Sequence, residues 1–198
     1  MTLPILAIWL DHVPVSTILG LIWLFIIAPA AILQFRDWYN IKNRPDNPFD
    51  LWSKDRWEIT GLKDYPRLFS GLIDFLPKGA IMRFEGVPSG ELVGFFEEHS
   101  TPELFQIPKG TIWPKMEIYN VPGTKENLQE LAELAKGFAP PEVATHFHVY
   151  TEKGVLIDWY DAFDDPMCIS NQFSEEDIKA FCDRASATYK MQPGITVT

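Results

Sequence analysis

Two histidines and a neighbouring run of carboxylates are the residues of this sequence best suited to chemistry. They lie in the stretch THFHVYTEKGVLIDWYDAFDDP, residues 145–166. The stretch predicts a β-hairpin around the turn Glu152-Lys153-Gly154, in which positions 146 and 148 share one face of a strand. If Lys153-Gly154 are the two turn residues, His148 lies opposite Trp159, and His146 lies opposite Asp161. Because imidazoles and carboxylates bind divalent metals, His146, His148 and Asp161 are candidate metal ligands, and a divalent metal is the one candidate cofactor.

The same three residues also have a structural interpretation, which we favour. A His–carboxylate pair can simply be hydrogen-bonded on a half-buried sheet, and no second cluster of ligands completes a metal site. The register matters as well, since a slip of one residue would carry Asp161 to the opposite face. No catalytic residue is predicted, because the chain has neither a Gly-x-Ser-x-Gly nor a His-Glu-x-x-His motif.

Three weaker candidates have simpler explanations. The turn Asp164-Asp165-Pro166 offers carboxylates to calcium or magnesium, but this composition is typical of an ordinary turn. Gly86–Gly90 precedes a helix where an anion could bind, yet it lacks the glycine pattern and the lysine of phosphate-binding loops. Glu97–Ser100 combines a carboxylate, an imidazole and a hydroxyl, but adjacent helical residues point in different directions and do not form a triad.

The elements that would position these residues follow from hydrophobic periodicity. The expected order is α-β-α-β-α-β-β-α, and Ser89, Thr124 and Ser174 are the expected helix N-caps. The last helix is expected to carry an apolar stripe from Ile178 to Tyr189. The predicted fold class is therefore α/β (α+β), a four-stranded mixed sheet covered by helices. The predicted elements are a helix at 65–76, a strand at 80–85, a helix at 89–98, a strand at 115–119, a helix after Thr124 ended by Pro140-Pro141, the hairpin strands at 145–151 and 155–161, and the helix after Ser174.

An uncharged apolar run, residues 13–35, precedes this domain. A helix of that length crosses a hydrocarbon layer about 30 Å thick, so the run predicts one transmembrane helix. Residues 1–12 contain no Lys or Arg, which argues against a cleavable signal. Basic residues from Arg36 to Arg56 follow the run, which predicts an outside N-terminus and a cytoplasmic domain. The predicted organisation is a short segment at 1–12, the span at 13–35, an aromatic connector at 36–57 and a soluble domain at 58–198.

Small residues in the span and aromatic residues after it are the predicted contacts with membrane or partner. Small side chains let helices approach closely in lipid, and Trp and Tyr favour the interface. The alternatives for the run are an ordinary lipid-facing anchor and a buried core helix of a soluble protein. His12, at the membrane edge, is interpreted as a solvated residue rather than a haem ligand. The predicted contact residues are Gly20, Pro29, Ala30, Ala31, Trp38, Tyr39 and Trp52.

The charge of the chain limits the class of partner. Asp and Glu number 27 against 17 Lys and Arg, giving a net charge of −10. Such a charge argues against nucleic acid and against flat contact with an anionic bilayer, and it permits a basic protein partner. Cys168 and Cys182 show no metal-binding spacing and are expected to be reduced in a cytoplasmic domain, with Cys182 in the core.

These observations favour a non-catalytic accessory subunit of a larger membrane protein complex, for example a respiratory or photosynthetic one. Its expected partners are integral membrane subunits and the lipid bilayer. One alternative is a membrane-tethered metal-dependent enzyme that uses His146, His148 and Asp161. The other is an acidic immunity-type inhibitor of a basic protein.

Overall fold

The computed structural model of this chain describes residues 50–103 and 116–194. The predicted transmembrane helix at 13–35 lies outside the described residues, as do Gly20, Pro29, Ala30, Ala31, Trp38 and Tyr39. Within the two described ranges, no helix is both long enough and apolar enough to cross a membrane.

The described chain alternates short strands with helices of one to three turns. The strands are β1 (Arg56–Thr60), β2 (Ile81–Gly86), β3 (Glu117–Pro122), β4 (His146–Thr151), β5 (Gly154–Trp159), β6 (Met167–Ser170) and β7 (Thr188–Gln192). The helices are α1 (Tyr65–Leu72), α2 (Glu91–His99), α3 (Lys125–Leu134), which continues as a 3₁₀ turn over Ala135–Gly137, α4 (Pro140–Val143) and α5 (Glu175–Ala185).

All seven described strands form one sheet, in the order β3-β2-β4-β5-β6-β1-β7. Every neighbouring pair is antiparallel, so the prediction of a four-stranded mixed sheet was wrong, and the domain is an α+β fold. The expected strands β2, β3, β4 and β5 are present, and β1, β6 and β7 were missed. The missed strands are short, and β7 is largely exposed, so none carries a clear period-two pattern of buried residues.

The hydrophobic core lies between the helices and one face of the sheet. Phe84 of β2 and Phe147 of β4 pack there with their ring centroids 5.2 Å apart, and Phe69 of α1 contacts both. Phe181 of α5 is also completely buried. Burying one such ring is worth about 1.5–3 kcal/mol. This packed layer fixes which face of each strand points away from the helices.

Two of the three predicted N-caps are confirmed. Thr124 accepts a hydrogen bond from the Asn127 backbone N–H (3.2 Å), and Ser174 accepts one from the Asp177 N–H (3.2 Å). Ser89 is not a cap, because α2 begins one residue later, after a glycine that offers no side-chain acceptor. Pro140 does not end α3 either. It opens the short helix α4, where its missing N–H costs nothing.

Near each end of the domain, one aromatic residue lies in a different element from the predicted one. Trp57, placed in the aromatic connector by the sequence, lies in β1 and is only 7 % exposed, with its indole N–H donating to the Phe173 carbonyl (3.1 Å). Tyr189, expected on the last helix, belongs to β7, because α5 ends before Ser186, which adopts a left-handed conformation (φ 56°). Its ring packs edge-on against Trp57 with centroids 5.8 Å apart.

Two helical glycines provide a matched test of this packing. A Cβ at Gly71 would lie 2.9 Å from Cε2 of Phe181, whereas a Cβ at Gly94 would meet nothing within 4 Å. We expect Gly71→Ala to lower the free energy of unfolding by about 1–3 kcal/mol through overpacking. Gly94→Ala should raise it by about 0.5–1 kcal/mol through helix propensity. Urea denaturation of the full chain in mild detergent, followed by circular dichroism, measures both, and equal effects would contradict this packing.

Candidate functional site: the polar face of the sheet

The sheet face turned away from the helices carries buried charged and polar side chains. Arg83, Glu85, His146 and His148 alternate with core residues along β2 and β4, and none is more than 2 % exposed. The two strands pair directly, with Arg83 opposite His148 and Glu85 opposite His146. We call these four residues, together with Asp158 of β5, the polar cluster.

The register of the hairpin differs from the predicted one. His148 pairs with Asp158, and Phe147 pairs with Trp159. The turn is Glu152-Lys153 rather than Lys153-Gly154, because Gly154 (φ 136°) already pairs with Thr151. An irregularity between Val149 and Tyr150 then shifts the pairing by one residue. The consequence is that Asp158, rather than the predicted Trp159, lies opposite His148.

His148 is held on one side by a short hydrogen bond. Its Nδ1 lies 2.6 Å from Oδ1 of Asp158, and since an ionised carboxylate only accepts, Nδ1 carries the proton. The other oxygen of Asp158 accepts from the indole N–H of Trp52 (3.1 Å). On the opposite side, Nε2 of His148 lies 3.9 Å from Oε1 of Glu85 and has no hydrogen-bond partner within the described part of the chain. The imidazole therefore sits between two carboxylates.

The buried guanidinium of Arg83 is also held between two carboxylates. Its Nε donates to Oε1 of Glu85 (2.8 Å), and one terminal nitrogen donates to Oε1 of Glu103 (2.5 Å). A buried charge costs several kcal/mol unless it is paired in good geometry. Arg83 and Glu85 thus neutralise each other on β2, beside His148.

His146 occupies a different environment from His148. Its Nδ1 accepts a hydrogen bond from the backbone N–H of Asp161 (2.9 Å), which fixes the neutral ring with its proton on Nε2. Burial lowers the pKa of His146 below its ordinary value, against the opposing effect of the carboxylates of Glu85 and Asp161. His146 is therefore an uncharged acceptor that ties β4 to the loop after β5.

Tyr160 borders both imidazoles. Its ring lies edge-on to His146 and His148, with centroid separations of 5.5 and 4.8 Å. Burial raises the pKa of its phenol, so this hydroxyl stays protonated. The two histidines consequently share one aromatic neighbour.

The three predicted metal ligands are only partly brought together. His146 and His148 share one face, as predicted, and Oδ1 of Asp161 lies 3.6 Å from Nδ1 of His146. Nδ1 of each ring is already engaged inside the sheet, and the Asp161 side chain is 62 % exposed. Among residues 50–103 and 116–194, no group of three or more His, Cys, Asp or Glu side chains is arranged to hold a metal ion.

Sequence reasoning missed Arg83, Glu85 and the pairing partner of His148. A signal for the first two was present, since charged residues at positions 83 and 85 interrupt an otherwise apolar strand, AIMRFE. Two side chains at that spacing point to the same face of a strand, so the opposite charges at positions 83 and 85 can neutralise each other. Asp158 could not be placed opposite His148 without knowing the turn and the bulge.

The loop that follows β5 is conformationally strained. Asp161 (φ 42°) and Phe163 (φ 76°) both adopt left-handed backbone conformations, which cost about 1–3 kcal/mol each for such residues. The carbonyl of Asp161 accepts from the backbone N–H groups of Asp164 (2.9 Å) and Asp165 (3.1 Å), which closes the loop. The indole N–H of Trp159 adds a bond to the Asp165 carbonyl (2.7 Å).

The remaining sequence candidates have local structural roles or stay predictions. His99 uses Nδ1 to contact the Phe95 carbonyl (3.0 Å) within α2, so it is not aimed at Ser100. Cys168 and Cys182 are both buried, unbridged thiols, and burial raises the pKa of each to about 11. Trp52 is 39 % exposed, with the Arg56 guanidinium 4.6 Å from its ring centroid; its contact with a membrane or partner stays a prediction.

Comparison with protein-family models, with curated proteins and with solved structures finds no match to this chain.

Removing the carboxylate beside His148 should destabilise the fold. We expect Asp158→Asn to lower the free energy of unfolding by about 1.5–3 kcal/mol, because it weakens a charged hydrogen bond at a fully buried imidazole. Glu133→Gln is the control, since Glu133 pairs with Lys136 on the exposed surface of α3 and should change stability by less than about 0.5 kcal/mol. Urea denaturation of the full chain measures both changes, and equal destabilisation would refute the stabilising role of the Asp158–His148 hydrogen bond.

The environment of His146 predicts a dependence of stability on pH. Because the folded-state pKa of His146 is lowered, the unfolded chain takes up this proton first on acidification. The stability that neutral His146 contributes is present above about pH 6.5 and is lost as the pH falls through the folded-state pKa. His146→Asn keeps an acceptor for the Asp161 N–H but cannot titrate. The fall in urea midpoint from pH 7 to pH 5 should be smaller in this variant, and identical profiles would exclude His146 as the cause.

Proposed function

We propose that this protein is a membrane-anchored, non-catalytic accessory subunit of a larger membrane protein complex, with its acidic domain in the cytoplasm. The observation that supports this proposal is that the best catalytic candidates are buried and already hydrogen-bonded. His146 and His148 are 2 % and 0 % exposed, and both are hydrogen-bonded inside the sheet. Because these polar residues are engaged in hydrogen bonds that hold the sheet together, binding to a partner is the function that the domain supports best.

The sequence before the domain supports attachment to a membrane. The uncharged run at 13–35 has the length and composition of a single span. Its small residues suit packing against the helices of integral membrane subunits. A respiratory or photosynthetic complex is one setting for a subunit of this kind.

The surface of the domain supports a protein partner rather than a nucleic acid. Helix α5 alone exposes Glu175, Glu176, Asp177 and Asp183 to solvent. The net charge of −10 repels phosphate backbones and anionic lipid headgroups. A basic protein surface is the complementary partner, and charge complementarity of this kind favours both specificity and rapid association.

The proposal predicts that the chain migrates with defined integral membrane proteins. After gentle detergent extraction of the native membrane, sizing and mass spectrometry should find it in a stoichiometric assembly. Ala30→Leu/Ala31→Leu should release it, because larger side chains prevent close helix packing. Ile32→Leu, which conserves volume and apolarity, should leave the assembly intact.

Two results would contradict the proposal. Migration of the wild-type chain alone, as a 22.7 kDa species in its detergent micelle, would exclude a stable complex. A stoichiometric metal in the purified chain, lost in His146→Ala, would instead support the enzyme alternative.

A further inference from the structure

A small pocket opens beside the strained loop, at the ends of β1 and β5. Its volume is about 170 Å³, and its apolar wall is formed by Ile59, Leu62, Trp159 and Phe163. The rings of Trp159 and Phe163 lie with their centroids 4.6 Å apart. This volume is well below the range of roughly 300–1,000 Å³ typical of small-molecule sites, and it suits a single side chain.

Two carboxylates belong to the lining of the same pocket. Asp164 and Asp165 are exposed, and neither side chain makes a hydrogen bond or an ion pair within the part of the chain that the structure describes. Their backbones, however, are held in place, since both N–H groups donate to the Asp161 carbonyl and the Asp165 carbonyl accepts from the Trp159 indole. The backbone that carries both carboxylates is therefore held in place by the fold.

The aromatic wall is equally well fixed. Phe163 packs edge-on against Tyr65 of α1, with centroids 5.0 Å apart, as well as against Trp159. The left-handed backbone at Phe163 (φ 76°) is maintained although it is unfavourable for an aromatic residue. The result is a preformed cavity that combines aromatic rings with carboxylates.

We propose that this pocket receives one positively charged side chain, a lysine or an arginine, from a basic protein partner. The inference rests on the proposed function and names the chemistry by which the domain would recognise that partner. Aromatic faces attract cations, and a carboxylate pair completes the charge complementarity. Arginine and tryptophan are also the residues most enriched at the energetic centres of interfaces.

Small probes test this pocket without the partner. The ¹⁵N-labelled full chain in detergent micelles is titrated with Nα-acetyl-arginine amide, Nα-acetyl-lysine amide and the neutral isostere Nα-acetyl-citrulline amide. The backbone N–H of Gly61, which lines the pocket, and the indole N–H of Trp159 are followed by NMR. We expect saturable shifts with one or both cationic amides, and at least tenfold weaker binding in Asp164→Asn/Asp165→Asn. Glu126→Gln/Glu130→Gln, which alters exposed carboxylates on α3, should bind as the wild type does.

Several outcomes would overturn the inference. Equal shifts with the citrulline amide would show a pocket for neutral ligands, and the same shifts with calcium chloride alone would show a divalent-cation site. Absence of saturable shifts, or equal loss in the α3 variant, would exclude a specific cation pocket. Failure of these binding tests would not contradict the proposed membrane complex. Conversely, a chain that migrates alone yet binds the cationic amides would refute only the accessory-subunit role.

Discussion

The cost of burying the Arg83 guanidinium is the constraint on which the rest of this structure depends. Arg83 is fully buried in β2, which is paired on both sides, and an uncompensated charge there would cost several kcal/mol. Glu85 and Glu103 supply the compensating charges, and Glu85 in turn faces His148, which pairs with Asp158. These contacts link β2, β4 and β5 side by side, so a slip in register would separate charges as well as hydrophobic side chains.

This arrangement explains why histidines that look catalytic in the sequence are better understood as structural. A general base needs access to a substrate, and a metal site needs several ligands that converge on one ion, which no group of three or more His, Cys, Asp or Glu side chains in the described ranges provides. His148 is fully buried with Nδ1 committed to Asp158, and His146 uses Nδ1 to hold the loop that follows β5. That loop lines the pocket that we propose receives a basic side chain, so the hydrogen bond from Asp161 to His146 would contribute to this recognition indirectly.

Much of the local structure could be predicted from sequence, because it depends on neighbouring residues. The hairpin and the caps at Thr124 and Ser174 involve contacts within a few positions and were confirmed. The full sheet could not be predicted, since β1 and β6 pair across more than a hundred residues and neither has a periodic pattern. The pairing within the site was predicted wrongly for a more local reason: the turn at Glu152-Lys153 and the bulge near Val149 together place Asp158, rather than Trp159, opposite His148.

We infer that the His148–Asp158 pair satisfies buried polar groups of the sheet rather than performing chemistry, and a double-mutant cycle tests this most directly. Unfolding free energies would be measured for His148→Phe, for Asp158→Leu and for the double variant, each in the full chain. Each single substitution should leave the other buried polar side chain without its hydrogen-bond partner. The loss of unfolding free energy in the double variant should therefore be smaller than the sum of the two single losses by at least about 1 kcal/mol. Additive losses, or single variants as stable as the wild type, would contradict the account.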